Sequence, residues 1–190
     1  MDAMLAAEIW TITRTEQGNA VLLRPFDMDL AVPLYIGQLE AESILIGLGE
    51  AAVPRPLTHD LFLNLLASIA MDLLQVEISE LKDDIFYTRL LFTGRDYSRE
   101  RPLILDARPS DALALAVRRK CPLFIAKKII SRVGVPVDRI MEAALEFMPG
   151  GERRELLLAE LDKALADEEY ERAAEIRDTL IRLDRERKGM

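Results

Sequence analysis

The spacing of hydrophobic residues along the first third of the chain predicts three strands followed by two helices. The segments with the alternation of a strand are residues 4–14, 20–23 and 30–36. Pro33 favours an edge position or a bulge for the third of them. Hydrophobic residues then recur at helical spacing over residues 38–48, and a second amphipathic helix follows Thr58, which is a suitable N-cap.

The middle of the chain predicts further strands and one buried helix. The predicted strands are residues 73–81, 85–92, 103–105 and 122–126. Before the last of them, a helix capped by Ser110 or Asp111 runs to about Lys120 and is apolar nearly all round, as in a buried helix. Residues 127–132 predict one or two helical turns, and residues 138–147 a weaker helix.

The composition changes after Met148-Pro149-Gly150-Gly151, which cannot extend a helix comfortably. Residues beyond it are rich in Glu, Arg, Leu and Ala, and their pattern predicts two helices broken near 167–169. We therefore expect a main domain over residues 1–147, a linker over 148–151 and a helical hairpin over 152–190. So short a hairpin buries little surface alone and is expected to dimerise or to pack on a partner.

Composition and charge narrow the class of protein. Of 190 residues, 50% are hydrophobic and 31% charged, which is typical of a globular chain. No apolar run approaches a membrane span, and the N-terminus lacks the pattern of a signal peptide. The single cysteine, Cys121, excludes an internal disulfide and so favours a reducing compartment. We expect Cys121 itself to be a small hydrophobic residue of the core. We expect a cytoplasmic protein with no membrane partner.

The net charge of −8 argues against a wholly basic nucleic-acid binder, but the charge is uneven. Residues 112–137 contain no acid and six bases: Arg118, Arg119, Lys120, Lys127, Lys128 and Arg132. These residues either form a basic patch or, in the case of the first three, stabilise a helix C-terminus through the helix dipole. The sequence leaves both interpretations open.

The main catalytic motifs of nucleotide-binding proteins, serine hydrolases and zinc peptidases are absent. With His59 as the one histidine, a polyhistidine metal site within one chain is impossible, whereas oxygen ligands for Mg²⁺ or Mn²⁺ remain available.

Two polar clusters, residues 54–60 and 106–111, each place an arginine, a proline, a hydroxyl residue and an acid at a helix start. Helix N-termini attract phosphate through their free N–H groups, and arginine adds a planar fork that matches phosphate oxygens. The alternative is that both clusters are ordinary helix beginnings, with Asp106 and Arg108 as a local ion pair and His59 as a surface or capping residue.

At these clusters the chain resembles the bifunctional nuclease family. The blocks that carry the resemblance are VPLYIG (32–37) with Glu40-Ala41, PRPLTHDL (54–61), DARPSDA (106–112) and ALAVR (114–118). The resemblance implies an α+β fold with a strongly bent mixed or antiparallel sheet and packed helices, a homodimer, and activity on DNA and RNA. One departure is Lys82-Asp83-Asp84, where the family usually has Asp-Gly-Thr; it affects a turn and not the polar clusters.

The tail resembles a second unit, the UVR motif of bacterial excision-repair proteins. Residues 169–178, EYERAAEIRD, carry its central pattern, with Leu180 and Leu183 following. The resemblance implies a module that binds a protein partner. Its candidate partner-binding residues are Tyr170, Ala173, Arg177 and Asp178.

These observations predict a metal-assisted, low-specificity nuclease of DNA and RNA. The candidate phosphate-binding residues are Arg55, Thr58, Arg108, Ser110, Arg118 and Arg119. The candidate catalytic residues are His59, as proton donor, with Asp60, Asp106 and Asp111 as metal ligands or general bases. The candidate ligands for Mg²⁺ or Mn²⁺ are Asp106, Asp111 and Glu40.

Two other hypotheses belong to different classes. The chain could be a non-catalytic adaptor that binds a protein through the hairpin and a phosphorylated ligand through the α/β domain. The acidic net charge and the lack of a histidine-based site favour it. Alternatively, the polar clusters could build a dimer interface. Convergence of the helix starts at Thr58 and Ser110 on one cleft is what the nuclease hypothesis requires within one protomer.

Overall fold

Segments of alternating hydrophobicity form one eight-stranded mixed sheet in the first part of the chain. The computed structural model describes residues 3–15, 18–147, 157–159, 161–162, 164–166 and 169–188. The strands are β1 (Met4–Thr15), β2 (Gly18–Pro25), β3 (Leu30–Ile36), β4 (Asp72–Lys82), β5 (Ile85–Thr93), β6 (Leu103–Ala107), β7 (Leu123–Ala126) and β8 (Val135–Pro136). Their order across the sheet is β6-β5-β4-β7-β1-β2-β3-β8, so the sheet is open at β6 and β8.

Strand β7 joins two sets of neighbouring strands. It pairs antiparallel with β1 on one side and parallel with β4 on the other, while the remaining pairs among the described strands are antiparallel. Pro33 lies on β3 beyond the short stretch paired with β8, where β3 is the edge of the sheet. This position agrees with the edge placement predicted for Pro33, since proline cannot donate to a neighbouring strand.

The helices that the structure describes are α1 (Gln38–Leu48), α2 (Thr58–Ser68), α3 (Pro109–Arg119), α4 (Lys127–Val133), α5 (Val137–Phe147) and α6 (Tyr170–Lys188). Helix α3 is the buried one, with residues Ala112–Ala116 at most 5% exposed. It packs against α1, α2, β4 and β5. The prediction of a buried helix here is confirmed, because a helix that is apolar all round is stable only inside a core.

The predicted α+β class with a mixed sheet and packed helices is confirmed, and three details are corrected. Strand β8 was not predicted from the sequence, because a strand of two residues is too short to show a hydrophobic periodicity. Helix α2 has Leu57 as its N-cap, not Thr58, and the carboxylate of Asp60 accepts the Leu57 N–H at 2.8 Å. Helix α3 has Arg108 as its N-cap, since Pro109 occupies its first turn with φ already set for a helix.

The chain divides into two compact units, Met1–Val137 and Asp138–Met190. In the second unit, residues 157–159, 161–162 and 164–166 are helical and precede α6. A small apolar core holds it together, made of Leu157, Ala164, Ala173, Ile176 and Leu180 with Leu161 partly buried. This confirms a helical C-terminal segment, while the predicted limits of the domains and linker stay predictions.

The predicted break between the two tail helices falls at Glu169, which is not helical and whose N–H donates to the carbonyl of Ala164 at 2.8 Å. The other residues of that break, 167 and 168, and the linker 148–151 lie outside the described residues. None of the helices in the described part of the chain combines the length and hydrophobicity needed to cross a bilayer.

Candidate active site at three helix starts

The first turns of α2 and α3 lie side by side, although 50 residues of sequence separate them. Nε2 of His59 is 3.5 Å from Oδ1 of Asp111, and the two side chains are 19% and 39% exposed. The start of α1 joins them, because Glu40 in its first turn reaches Arg108. The two polar clusters that the sequence singles out are therefore parts of one surface.

Arg108 is the exposed centre of this surface. Its Nε donates to Oδ2 of Asp111 at 2.9 Å, its Nη2 to Oδ1 at 3.3 Å, and its Nη1 lies 3.7 Å from Oε1 of Glu40. The hydrogen bond to Asp111 raises the pKa of Arg108 above its usual range. The side chain is nonetheless 69% exposed, so the guanidinium is held in place by carboxylates and remains open to a ligand.

The Glu40 carboxylate folds back over the start of α1, beside Gly37. A Cβ on Gly37 would stand 2.3 Å from Oε2 of Glu40. Because that oxygen is the end of a flexible side chain, a larger residue at position 37 would require the carboxylate to shift from its place near Arg108.

Ser43 is the residue of this cluster that sequence analysis missed. Its Oγ lies 3.0 Å from Nδ1 of His59, on the side of the ring opposite Asp111. When Nε2 carries the proton and donates to Asp111, Nδ1 accepts from the Ser43 hydroxyl, so both ring nitrogens are oriented. The sequence held one indication of Ser43: it follows Glu40 by three residues, and this spacing puts both side chains on one face of α1.

Asp60 and Arg118 hold the three helices together. The second oxygen of Asp60, Oδ1, accepts from Nε of Arg118 at 2.8 Å. Nη1 of Arg118 donates at 2.9 Å to the carbonyls of Ser43 and Ala114. The Arg118 side chain is 7% exposed and Asp60 30%, so the pair joins α1, α2 and α3 beneath the surface. These contacts give both residues a positioning role.

The other candidate site residues occupy varied positions. Arg119 is half exposed and ion-paired with Asp72 at the start of β4. Arg55 and Thr58 are exposed before and at the start of α2, and neither side chain makes a hydrogen bond or ion pair with another described residue. Ser110 is 7% exposed in the first turn of α3.

A cleft of about 450 Å³, called here the Arg108 cleft, opens beside this cluster. Its walls are residues 34–37 with Glu40, residues 84–87, and residues 106–110, which include Asp106 and Arg108. Four strands separate β3 from β5, and in a flat sheet these two would lie about 24 Å apart. Because residues of both line one cleft, the sheet curves strongly, as the family resemblance implied.

Four of the six bases in the segment without acids lie beside carboxylates. Arg118 pairs with Asp60, Arg119 with Asp72 and Lys120 with Glu50. Nη2 of Arg132 lies 3.7 Å from Asp84. Hydrogen bonding to Arg119 lowers the pKa of Asp72 below its usual value, as expected for a paired carboxylate. Acids from distant parts of the sequence thus supply the charge that the segment lacks.

Carboxylates lie around the cleft without forming a preassembled metal cage. Among residues of the described ranges, no three His, Cys, Asp or Glu side chains converge as metal ligands. Glu40 and Asp106 both line the Arg108 cleft, whereas both oxygens of Asp111 lie against Arg108 and His59.

In the helical tail, the residues predicted to bind a partner divide into two kinds. Tyr170, Arg177 and Asp178 are well exposed, with 67% of the Tyr170 surface accessible. Ala173 is 5% exposed and belongs to the small apolar core of this unit. Of these four residues, the first three are therefore accessible at the surface.

The fold and the cleft define an α+β domain with an arginine–carboxylate site, and comparison with known proteins places it in a family. Residues 21–138 match the bifunctional nuclease domain, and residues 151–186 match the UvrB/uvrC motif. The chain belongs to the bifunctional nuclease domain family and carries a C-terminal UvrB/uvrC motif. Both resemblances seen in the sequence are confirmed, in the same order.

Curated relatives come from bacteria and plants. An uncharacterized protein of Mycobacterium tuberculosis is 35% identical over 124 residues, covering 65% of this chain and 71% of the relative. A protein of Oryza minuta named bifunctional nuclease is 25% identical over 189 residues, covering 90% of this chain and 57% of the relative. Bifunctional nuclease 1 of Oryza sativa subsp. japonica matches to the same extent. The chain thus spans little more than half the length of these plant proteins.

Proposed function

We propose that the chain is a low-specificity nuclease that hydrolyses phosphodiester bonds in DNA and RNA. The observation that carries this proposal is the convergence of the starts of α1, α2 and α3, where Arg108 is exposed between Glu40 and Asp111, and Asp111 in turn contacts His59. Membership of the bifunctional nuclease domain family and the names of the plant relatives support it.

Arg108 is proposed to bind the phosphate of the scissile bond. A phosphodiester offers two non-bridging oxygens that fit the planar guanidinium, in competition with the carboxylates that now hold it. Pro109 removes one backbone donor from the start of α3, and the remaining free N–H groups of that turn add a positive partial charge. Arg55, exposed in the loop before α2, is proposed as a second contact to the strand.

Asp106 and His59 are the proposed acid–base pair. Asp106 is exposed on β6 and lines the cleft, where a carboxylate can accept a proton from the attacking water. His59 is the proposed donor to the leaving oxygen. It can exchange its contact with Asp111 for one with substrate, while Ser43 keeps the ring oriented. Before this exchange, Asp111 stabilises the imidazolium from which the proton is donated. Asp60 and Arg118 position the helices.

A divalent ion is proposed to assist the hydrolysis. Its candidate ligands are Glu40 and Asp106, which line the Arg108 cleft, with Asp111 as a further candidate. Mg²⁺ is commonly held by one or two carboxylates together with substrate phosphate oxygens, which agrees with the absence of a three-ligand cage among the described residues. When bound, Mg²⁺ or Mn²⁺ would neutralise charge that develops on the phosphate.

The proposal is tested by purifying the wild type, Arg108→Ala, Asp111→Ala and Arg99→Ala in parallel and assaying each on labelled single-stranded DNA and RNA. Arg99 is an exposed arginine of the β5–β6 loop outside the cleft, and serves as the matched control. Loss of one charge-assisted phosphate contact should lower activity by about tenfold or more in Arg108→Ala. Equal activity in all four preparations would identify a contaminating nuclease. Arg108-dependent activity that persists in EDTA would contradict the proposed role of a divalent ion.

The helical tail is proposed to bind a protein partner in the cytoplasm. The exposed Tyr170, Arg177 and Asp178 give it a surface with an aromatic anchor and both signs of charge. Affinity capture with the full chain and with a Tyr170→Ala, Arg177→Ala double variant tests this. The partner should be retained by the wild type and released by the variant.

A non-catalytic adaptor is the second candidate, and the ion pairing of the basic segment favours it. Arg118, Arg119 and Lys120 are each engaged by a carboxylate, which reduces the attraction of this face for a polyanion. An adaptor would bind a phosphorylated ligand at Arg108 without turnover. The adaptor hypothesis would be supported if the wild type binds a phosphorylated ligand, Arg108→Ala does not, and no preparation cleaves nucleic acid.

We further propose that the chain forms a homodimer through α2. Leu61, Leu65 and Ile69 recur every four residues along that helix and are 64%, 57% and 55% exposed. Such a stripe on a helix surface is typical of a face that is covered in an assembly.

A further inference from the structure

The Arg108 cleft contains two exposed tyrosines that the proposed chemistry does not use. Tyr35 on β3 is 54% exposed and Tyr87 on β5 is 38% exposed, and both line the cleft with the half-buried Phe86. The chain has only four tyrosines, so half of them lie at this one opening. Exposed aromatic faces beside an arginine are the elements from which single-strand nucleic-acid sites are built.

The charge of the cleft limits what can enter it. Glu40, Asp84 and Asp106 line it against a single arginine, Arg108. A run of several phosphates would meet these carboxylates and be repelled. A nucleobase carries no charge, presents an aromatic face and can donate amino hydrogens to carboxylate oxygens, which only accept. The cleft is therefore suited to one base, with one phosphate at Arg108.

We propose that the Arg108 cleft binds a single unpaired nucleobase, stacked on Tyr35 or Tyr87, and so selects single-stranded or extruded nucleotides over duplex. The proposal rests on the proposed nuclease function and adds the form of its substrate. A cleft of about 450 Å³ is of a size that holds one such group. In a duplex, both faces of each base are covered by neighbours, and extrusion costs a few kcal/mol.

Asp84, the cleft carboxylate that the proposed chemistry leaves unused, also implies a preference among bases. Cytosine presents an exocyclic amino group that donates to Asp or Glu, whereas thymine presents a carbonyl at the same position, which a carboxylate repels. The two pyrimidines are nearly equal in size, so their comparison isolates the hydrogen-bonding edge. We expect oligo-dC to bind more tightly than oligo-dT.

The test measures binding separately from cleavage, by fluorescence anisotropy of the full chain with short labelled oligonucleotides whose phosphorothioate linkages resist hydrolysis. The probes are oligo-dC, oligo-dT and a duplex of mixed sequence. The variants are Tyr35→Leu and Tyr87→Leu, each beside its Tyr→Phe counterpart, which keeps the aromatic face. Tyr97→Leu is the matched control, because Tyr97 is 38% exposed like Tyr87 but lies outside the cleft.

Loss of a base–aromatic stack should weaken oligo-dC binding by about fivefold or more in at least one of the two leucine variants. The phenylalanine variants and Tyr97→Leu should bind as the wild type does. Equal affinity for oligo-dC and the duplex, or leucine variants that bind normally, would overturn the proposal.

The failure of this inference is distinct from failure of the proposed function. If the leucine variants bind normally while cleavage still depends on Arg108, the stacking site is wrong and the nuclease stands. If Tyr-dependent binding of oligo-dC occurs without any Arg108-dependent cleavage, the base site stands and the nuclease is wrong. If the wild type neither binds nor cleaves, both are wrong.

Discussion

Ser43 is a single hydroxyl in the second turn of α1 that lies 3.0 Å from Nδ1 of His59. A hydroxyl both donates and accepts, whereas the Asp111 carboxylate only accepts, so Asp111 favours the tautomer with Nε2–H and Ser43 completes the contacts of the ring. Ser43 carries no distinctive local pattern in the sequence beyond its spacing from Glu40. Its role follows from the packing of α1 against the start of α2.

Replacing Ser43 by alanine should lower kcat by about tenfold with little change in KM, because His59 loses its orientation and the phosphate contact at Arg108 is untouched. Ser43→Thr keeps a hydroxyl and should recover most of the rate. Steady-state kinetics on a labelled single strand checks both. A matching fall in the two variants, or a change confined to KM, would contradict the positioning role.

The burial of Cys121 predicts that the free energy of unfolding depends on pH in the alkaline range. Comparison with a variant that lacks the thiol isolates this effect. Burial raises the pKa of its thiol from 9.0 to about 11. Between these values the unfolded chain releases the proton and the folded chain keeps it, so the stability that this group contributes is present below pH 9 and lost as the pH rises toward 11.

Denaturant unfolding of the wild type and Cys121→Ser at several alkaline pH values measures this effect. The wild type should lose stability more steeply than the variant, whose hydroxyl does not titrate in this range. Parallel slopes in the two proteins would show that the thiol titrates normally. The same burial predicts slow alkylation of Cys121 near neutral pH, because the thiolate is the reacting form.

At the scale of the elements, α1 and α3 approach each other closely at Gly47. A Cβ there would lie 2.5 Å from Cγ2 of Val117 and 2.9 Å from Nη1 of Arg118. Gly47 is buried within α1, so the close contact, and not helix propensity, decides what a larger residue does. The same contact sets the distance across which Arg118 reaches the carbonyl of Ser43.

Gly47→Ala should therefore destabilise the fold by about 1–3 kcal/mol, although alanine is about 1 kcal/mol better than glycine in an open helix. The free energy of unfolding from chemical denaturation measures this. Gly49→Ala, at the end of the same helix with its nearest Cβ contact at 3.3 Å, should cost less. A stabilised Gly47→Ala protein would show that α1 and α3 can separate without cost.

Sequence periodicity predicted most elements of the main sheet and its helices, because each long strand or helix carries its own pattern. The structure departs where tertiary contacts decide. Leu57 and Arg108 replaced the expected hydroxyl caps, since the Asp60 carboxylate and Pro109 perform the capping locally. Of the candidate site, the sequence placed Arg108 in one of two polar clusters, and the structure brings those clusters together. The pairing of Arg118 with Asp60 joins residues 58 apart and has no sequence signal.

For the whole molecule, the exposed stripe of α2 predicts the oligomeric state. Leu61→Glu combined with Leu65→Glu should convert the proposed dimer to a monomer, because two charges would be buried without partners. Light scattering during size-exclusion chromatography gives the mass directly. Phe26→Glu, which alters a residue 61% exposed in the β2–β3 turn, is the control and should remain dimeric. A dimer that instead dissociates only in Arg108→Ala would place the interface at the polar clusters.

The central position of β7 has a consequence for how the chain is made. On a ribosome, β1–β3 and β4–β6 emerge before residues 123–126, yet β1 and β4 find no common neighbour until β7 arrives between them. Until then both sets of strands expose an unpaired edge, the feature through which incomplete sheets aggregate. Synthesis of this protein therefore passes through a vulnerable interval that ends only when β7 has been translated. Substitutions that weaken β7 should lower the yield of soluble protein more than its equilibrium stability.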